Sequence, residues 1–113
     1  MDHQVRYTLL AQQDVSNAFA WYRTKAGDDV AERFMVELAR CEGHLRSNPF
    51  LYRRMAAEVR QLVLRRFPYV LVYAIDRDCV VVLGCFHSSR NPLALNEWLA
   101  RGKNAGVVDD GLH

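Results

Sequence analysis

The spacing of apolar residues predicts two helices in the first half of the chain. One helical face is defined by residues that recur at steps of three and four, namely Ala11, Val15, Ala18, Phe19 and Tyr22. This helix is expected to stop near Gly27, because glycine readily adopts the left-handed conformation that ends helices. A second series with similar spacing follows, made of Val30, Phe34, Leu38, Cys41 and Leu45.

The boundaries of the second helix are marked by polar residues. Asp29 is followed three residues later by Glu32, which resembles a capping box and predicts that the helix begins there. The helix should end before Asn48-Pro49, because a residue that precedes proline is disfavoured in the helical region. Since only a few residues separate the two helices, we expect an antiparallel helical hairpin.

Runs of β-branched and aromatic residues predict strands before and after the hairpin. They cover residues 5–9, 59–64, 69–75 and 79–86. The sequence Asp-Arg-Asp at 76–78 suits a tight turn between the last two strands, which should therefore be antiparallel. All four positions of "VVVL", residues 80–83, are apolar, so this strand should lie inside the sheet or be covered on both faces.

The order β-α-α-β-β-β predicts a two-layer α+β domain, in which an N-terminal strand and a helical hairpin pack on a small, mainly antiparallel sheet. The pattern leaves the opposite face of the sheet without a predicted cover. A short amphipathic helix is expected over residues 95–101. We therefore assign residues 1–101 to a single domain and residues 102–113, which contain three glycines and no aromatic residue, to a flexible tail.

Composition fits a soluble protein of one domain. The chain has 113 residues, half of them hydrophobic and a quarter charged. No apolar run approaches the roughly 20 residues of a membrane-spanning helix, and the start lacks the apolar segment of a secretory signal, so a cytoplasmic location without a membrane partner is expected. Cys41, Cys79 and Cys85 form no CxxC pair, so we expect buried thiols and no metal or cofactor.

Positive charge is concentrated in the second half of the chain. The net charge is only +2, but residues 53–113 carry nine Lys and Arg against six Asp and Glu. Alternation of strand positions is expected to send Arg60 and Arg66 to one face and Arg65 to the other. Such a cluster can attract nucleic acid or an acidic peptide, or it can simply be a solvated surface.

Aromatic residues near this cluster have two interpretations. Phe67, Tyr69 and Tyr73 could stack on bases, but we expect at least two of them in the core of a two-layer fold. Trp21 lies off the main helical stripe, and the sequence does not decide whether it contacts a partner or borders the core.

Three segments of the chain resemble the RelE/ParE toxin superfamily of bacterial toxin–antitoxin modules. They are the helical hairpin that ends in "SNP", the stretch "VRQLVLRRFPYVLVYAID", and the ending "VVVLGCFHSSRNP". The resemblance runs from about residue 5 to residue 95. An arginine-bearing strand leading into "FPYVLVY" and the His-x-x-Arg-x-Pro pattern of "HSSRNP" are closer to ParE-like chains.

This resemblance implies a type II toxin with the α+β fold, neutralised by an acidic, ParD-like antitoxin in a toxin–antitoxin hetero-oligomer. ParE-like toxins inhibit DNA gyrase and so replication, which leads to growth arrest and plasmid stabilization. In this favoured hypothesis the chain performs no bond chemistry. Arg60, Arg65, Arg66 and Arg90 are its candidate contacts with target or antitoxin.

Two alternatives remain open. The resemblance to the superfamily also covers RelE-like toxins, which cut messenger RNA on the ribosome, and fold alone cannot choose between the two. In that case His87 would act as base or acid, with Arg60 and Arg90 holding the phosphate. No tyrosine occurs after Tyr73, however, whereas RelE-like ribonucleases often carry one near the end. The second alternative is a non-toxic interaction module on the same fold. Outside the ribonuclease hypothesis, His87 is expected merely to end a strand.

Overall fold

The computed structural model describes residues 2–56, 58–88 and 101, and its main elements are two helices packed on a five-stranded sheet. The elements are strand β1 (Gln4–Tyr7), helices α1 (Leu9–Ala26) and α2 (Asp28–Ser47), a 3-10 turn (Pro49–Leu51), and strands β2 (Arg54–Ala56), β3 (Val59–Val63), β4 (Tyr69–Asp76) and β5 (Cys79–His87). The predicted α+β fold is confirmed.

The sheet has the order β1-β5-β4-β3-β2 and is mixed. Strand β1 pairs in parallel with β5, whereas the other three pairings are antiparallel. The predicted antiparallel part of the sheet is confirmed. The short edge strand β2 and the parallel pairing were not predicted from the sequence.

A single residue, Gly27, joins the two helices. Its φ of 96° lies in the region that favours glycine, and its N–H donates to the carbonyls of Tyr22 and Arg23 at 3.1 and 3.2 Å. Gly27 also serves as the N-cap of α2, and no side chain caps that helix. The predicted capping box at Asp29 is therefore wrong, because the turn is too short to leave room for a separate side-chain cap.

Helix α1 begins earlier than its apolar pattern indicated. Thr8 is its N-cap, and the Thr8 hydroxyl oxygen accepts a hydrogen bond from the N–H of Ala11 at 3.1 Å. Strand β1 accordingly ends at Tyr7, not at residue 9. Leu9 and Leu10 form the first turn of the helix and are exposed, so they resemble strand residues only in composition.

The apolar stripes of both helices pack on one face of the sheet, as predicted. From the helices this core contains Ala11, Ala18, Tyr22, Phe34, Leu38, Cys41 and Leu45, and from the sheet Leu62, Leu71, Tyr73, Val80, Val82 and Cys85. Tyr69 and Tyr73 are buried and Phe67 is half-buried against the same core, which confirms their predicted packing role.

The opposite face of the sheet is also apolar and buried. Its cluster consists of Val59, Val72, Val81, Leu83 and Phe86, each at most 4 % exposed. Strand β5 lies inside the sheet and contributes to both faces, as "VVVL" predicted. The guanidinium of Arg101 lies over the Phe86 ring at 4.7 Å from its centroid, so this side chain covers part of the second face.

A β-bulge interrupts the pairing of β4 with β5. Val72 pairs with Gly84 but Tyr73 pairs with Val82, which leaves Leu83 as an extra residue. The extra residue shifts the alternation of side chains, so that Cys85 joins the core on the helix side. His87, two residues after Cys85, therefore lies on the same face of the sheet as α1. Without the bulge it would lie on the other face.

The three cysteines are free thiols. Cys41 and Cys85 are buried as predicted, whereas Cys79 is only half-buried. Burial raises the pKa of both Cys41 and Cys85 to about 12, so these two thiols stay protonated at neutral pH. The predicted tail and most of the predicted helix over residues 95–101 lie outside the described residues.

Candidate binding groove

The connection between β3 and β4 carries two of the predicted arginines. Strand β3 ends at Val63, and Arg65 and Arg66 lie in the following loop, where Arg66 has a φ of 65°. The expectation that Arg60 and Arg66 share one strand face is therefore wrong, because strand alternation does not extend past residue 63. The loop instead turns Arg65 and Arg66 towards α2.

Glu37 anchors this loop to α2. One oxygen of its carboxylate accepts the backbone N–H of Arg65 at 2.5 Å, and the two oxygens accept Nε and Nη2 of Arg40 at 2.8 and 2.7 Å. The side chain is buried, and its fork-like pairing with Arg40 is the strong, bidentate kind. The carboxylate thus ties α2 to the β3–β4 loop, which is distant from the helix in sequence and has no regular structure of its own.

Electrostatics keep Glu37 ionised. The hydrogen bonds from Arg40 lower its pKa, and the N–H of Arg65 acts in the same direction, whereas burial opposes both. The same contact raises the pKa of Arg40. At neutral pH the pair is therefore a fixed, internally neutralised ion pair at the base of the loop.

A groove of about 480 Å³ opens between α2 and the loop. It is lined by Val30, Arg33, Val36, Glu37, Arg40, Arg65, Arg66 and Phe67. Four guanidinium groups meet one carboxylate there, and that carboxylate is already paired with Arg40. Val36 is 68 % exposed, so the groove combines excess positive charge with accessible apolar surface.

The helical side of the groove was missed in the sequence. Arg33, Glu37 and Arg40 are four and three residues apart, which places them on one side of α2. That spacing was a readable signal. The apolar stripe of the same helix accounts for its packing, so hydrophobic periodicity does not single these three residues out.

Arg60, another predicted site residue, has a structural role. Its Nη1 donates to the carbonyls of Phe50 and Tyr52 at 3.1 and 2.9 Å, and its guanidinium lies over the Phe50 ring at 5.5 Å. These contacts attach β3 to the 3-10 turn. Arg60 does not line the groove.

His87 lies in a separate cleft of about 280 Å³, lined by Asp14, Asn17, Ala18, Trp21, Tyr69, Cys85 and His87 itself. Its ring meets Tyr69 edge-on, with ring centroids 5.3 Å apart. Trp21 is 40 % exposed and packs edge-on against Tyr22, so it borders the core and also lines the cleft. Arg90, the remaining predicted site residue, lies outside the described residues.

Neither a metal site nor a membrane span is found in the part of the chain that the structure describes. No group of three or more His, Cys, Asp or Glu side chains there is arranged to hold a metal ion. Neither of the described helices is long and apolar enough to cross a bilayer.

Comparison with known families identifies the chain. A family model described as the ParE toxin of the type II toxin–antitoxin system parDE matches residues 5–92. The chain belongs to the ParE toxin family. The chain is therefore a member of the RelE/ParE superfamily, which confirms the resemblance predicted from its sequence motifs. A search of curated protein sequences finds no significant match.

Solved structures similar to this ParE-family toxin come from both branches of the superfamily. A chromosomal ParDE system from P. aeruginosa has a TM-score of 0.66 at 18 % identity, over 75 % of this chain and 95 % of that one. The RelBE2 toxin–antitoxin complex from Mycobacterium tuberculosis has a TM-score of 0.50 at 28 % identity, over 77 % of this chain and 92 % of that one. A double arginine-to-alanine variant of E. coli RelE in the free state has a TM-score of 0.60 at 16 % identity. The match covers 93 % of this chain and 98 % of that one.

Proposed function

We propose that this ParE-family toxin acts by binding, inhibits DNA gyrase and so replication, and is neutralised by a cognate antitoxin. The observation that carries the proposal is the composition of the groove. Its described lining holds four arginines and one carboxylate, and that carboxylate is committed to Arg40. Because this lining includes no histidine, lysine or tyrosine, it suits recognition of an anionic partner and supplies no acid–base pair.

The position of His87 supports binding over ribonuclease chemistry. Cleavage of RNA through its 2′-hydroxyl needs a base, an acid and cations around one phosphate. His87 lies in the cleft beside α1, where Asp14 of the lining is paired with Arg101 at 3.2 Å, whereas Arg65 and Arg66 line the groove. Arg60 is committed to two backbone carbonyls. The proposed roles of Arg60, Arg65, Arg66 and Arg90 in contacting target or antitoxin stay predictions.

The comparisons support an antitoxin partner. The matching family is that of the toxins in parDE systems, and two of the similar structures are described as a ParDE system and a RelBE2 toxin–antitoxin complex. By analogy we expect this toxin to form a hetero-oligomer with a ParD-like antitoxin. A gyrase target would place its action in the cytoplasm.

The test is expression of residues 1–113 without antitoxin, followed by parallel pulse labelling of DNA and protein synthesis. If the proposal is right, DNA synthesis falls first. An early fall of protein synthesis together with cut messages would replace it with the ribonuclease hypothesis. If neither falls while folded protein accumulates, both toxic hypotheses fail and a non-toxic interaction module remains.

A variant sharpens this test. His87→Gln removes a titrating imidazole but keeps a polar side chain of similar reach at the end of β5. A toxin that works by binding through the groove should retain its effect on DNA synthesis, whereas a ribonuclease that uses His87 as base or acid should lose about 10²-fold or more of its activity. Supercoiling by purified gyrase, measured with both proteins, provides the readout outside the cell.

A further inference from the structure

We infer that the groove between α2 and the β3–β4 loop is the site where the antitoxin docks an acidic segment bearing apolar anchor residues. This inference rests on the proposed function, since it presupposes a cognate antitoxin. It goes further by locating the contact and by naming the chemistry of the segment that fits it.

The first step is the charge that the groove leaves uncompensated. Within the described residues, Arg40 is the one groove arginine in an ion pair, and Glu37 is its partner. Among the described residues, Arg33 donates to the carbonyl of Asp29 at 3.4 Å, and Arg65 and Arg66 are exposed. Three guanidinium groups therefore remain to face an incoming ligand, which must carry carboxylates or another anion to match them.

The second step is the apolar surface between those arginines. Val30 is half-buried and Val36 mostly exposed on the α2 side, while Phe67 is half-buried on the loop side. A ligand that covers them gains from removing apolar surface from water, at about 25 cal/mol per Å². A peptide with both acidic and apolar side chains can use the arginines and this surface together.

The third step separates a peptide from a nucleic acid. A phosphate backbone gains nothing from covering Val36, whereas an apolar side chain of a peptide does. Base stacking needs an accessible aromatic face, but Phe67 is already packed edge-on against Tyr22 and Phe34, with centroids 5.2 and 5.4 Å away. These features favour an acidic peptide.

The size of the groove sets the length of the segment. Val30 to Arg40 spans ten residue steps of α2, or about 15 Å at 1.5 Å per residue. That length matches about ten residues of a partner helix or about five residues of an extended strand. The antitoxin segment should therefore be short, with two or three carboxylates beside at least one apolar residue.

The structure offers an unusually close control for Arg66. Arg66 and Arg77 are both arginines with left-handed backbone, at φ values of 65° and 60°. They lie beyond opposite ends of β4, whose eight residues span about 25 Å. Exchanging either for glutamate makes the same change in charge and in local backbone preference, but only Arg66 lines the groove.

The experiment measures binding of the full-length toxin to the small acidic protein encoded by the reading frame that adjoins the toxin gene. Dissociation constants are compared by calorimetry for the wild type, Arg66→Glu, Arg77→Glu and Val36→Asp. We expect Arg66→Glu and Val36→Asp to weaken binding at least about tenfold, and Arg77→Glu to change it less than about twofold. Circular dichroism confirms that each variant is folded.

The outcomes separate the inference from the proposal beneath it. If the wild type does not bind the adjoining protein, the antitoxin assignment fails and the inference falls with it. If the wild type binds, and Arg66→Glu and Arg77→Glu both bind as tightly as the wild type, only the location in the groove is overturned. If a 20-base-pair DNA duplex binds the wild type, and Arg66→Glu abolishes that binding but leaves binding of the adjoining protein intact, the groove is a nucleic-acid site and the inference is wrong.

Discussion

Replacing Glu37 tests how the candidate groove is held together. The carboxylate is buried and accepts three close hydrogen bonds, two from Arg40 and one from the backbone N–H of Arg65. In Glu37→Ala all three are lost, and the N–H of Arg65 is left without its protein partner. In Glu37→Gln one oxygen remains to accept that N–H, but the charge that pairs with Arg40 is gone.

The magnitudes follow from these contacts. An unsatisfied backbone group costs about 1–3 kcal/mol, and a hydrogen bond to a charged group contributes about 1.5–3 kcal/mol. The Arg40 side chain is 28 % exposed, so water recovers part of its loss and the full cost of breaking a buried pair does not apply. We therefore expect Glu37→Ala to lower the free energy of unfolding by about 2–4 kcal/mol and Glu37→Gln by about 1–2 kcal/mol.

The pH dependence has a definite sign. The pKa of Glu37 is lowered in the folded protein, so its contribution is fully present above the ordinary carboxyl pKa of 4.5 and is lost as the pH falls through the lower folded value. Protonation makes the wild type resemble Glu37→Gln. The difference in stability between these two proteins should therefore shrink below pH 4.5.

Urea unfolding, followed by circular dichroism at pH 7 and at several values below pH 4.5, measures both effects. Glu32→Gln is the control, because Glu32 is exposed on the same helix and its change should stay within about 0.5 kcal/mol. If Glu37→Ala matches this control at pH 7, or if the Glu37→Gln difference persists undiminished in acid, the loop is not held by the carboxylate in the way described.

Three further predictions concern the fold around the sites. A Cβ at Gly84 would lie 2.6 Å from both Arg101 Nη1 and the Phe86 ring, so Gly84→Ala should lower the free energy of unfolding in urea by about 1–3 kcal/mol. Gly43 is helical with open space around it, so Gly43→Ala should raise the free energy of unfolding by about 0.5–1 kcal/mol. Burial raises the pKa values of Cys41 and Cys85 from 9.0 to about 12. The free energy of unfolding should therefore fall as pH rises through this window, by about 1.4 kcal/mol per thiol per pH unit. Exchanging either cysteine for alanine should make this dependence on pH less steep. Tyr73→Phe removes a buried 2.6 Å hydrogen bond to a backbone carbonyl and should cost about 1–2 kcal/mol, seen as a lower urea midpoint with unchanged m-value.

Local periodicity was enough to predict most elements of the fold. The steps of three and four in both helices and the apolar runs of β3, β4 and β5 reflect which side chains must leave water, and that requirement is visible in sequence. The boundaries of the helices were harder to predict from the sequence. Thr8 starts α1 through a hydrogen bond that the apolar pattern does not reveal. Gly27, predicted only as the end of α1, also begins α2 in place of the predicted cap at Asp29.

The candidate groove was harder to predict because it is assembled by tertiary contacts. The charge count drew attention to Arg60, Arg65 and Arg66 together, but the structure separates the first from the other two. The grouping depends on a strand that stops at Val63 and on a carboxylate 28 residues before Arg65 in the chain. No local rule relates residues at that separation.

The same contacts explain how the toxin can carry concentrated positive charge and remain folded. Clustered arginines repel one another, and the usual remedy would be several surrounding carboxylates. Here Glu37 pairs with Arg40 and fixes the loop through the backbone N–H of Arg65, so its one charge secures the scaffold without neutralising the other three guanidinium groups. An acidic segment that binds the groove would relieve the remaining repulsion. Because such a segment would bind only the folded toxin, neutralisation and stabilisation of the toxin would become one equilibrium.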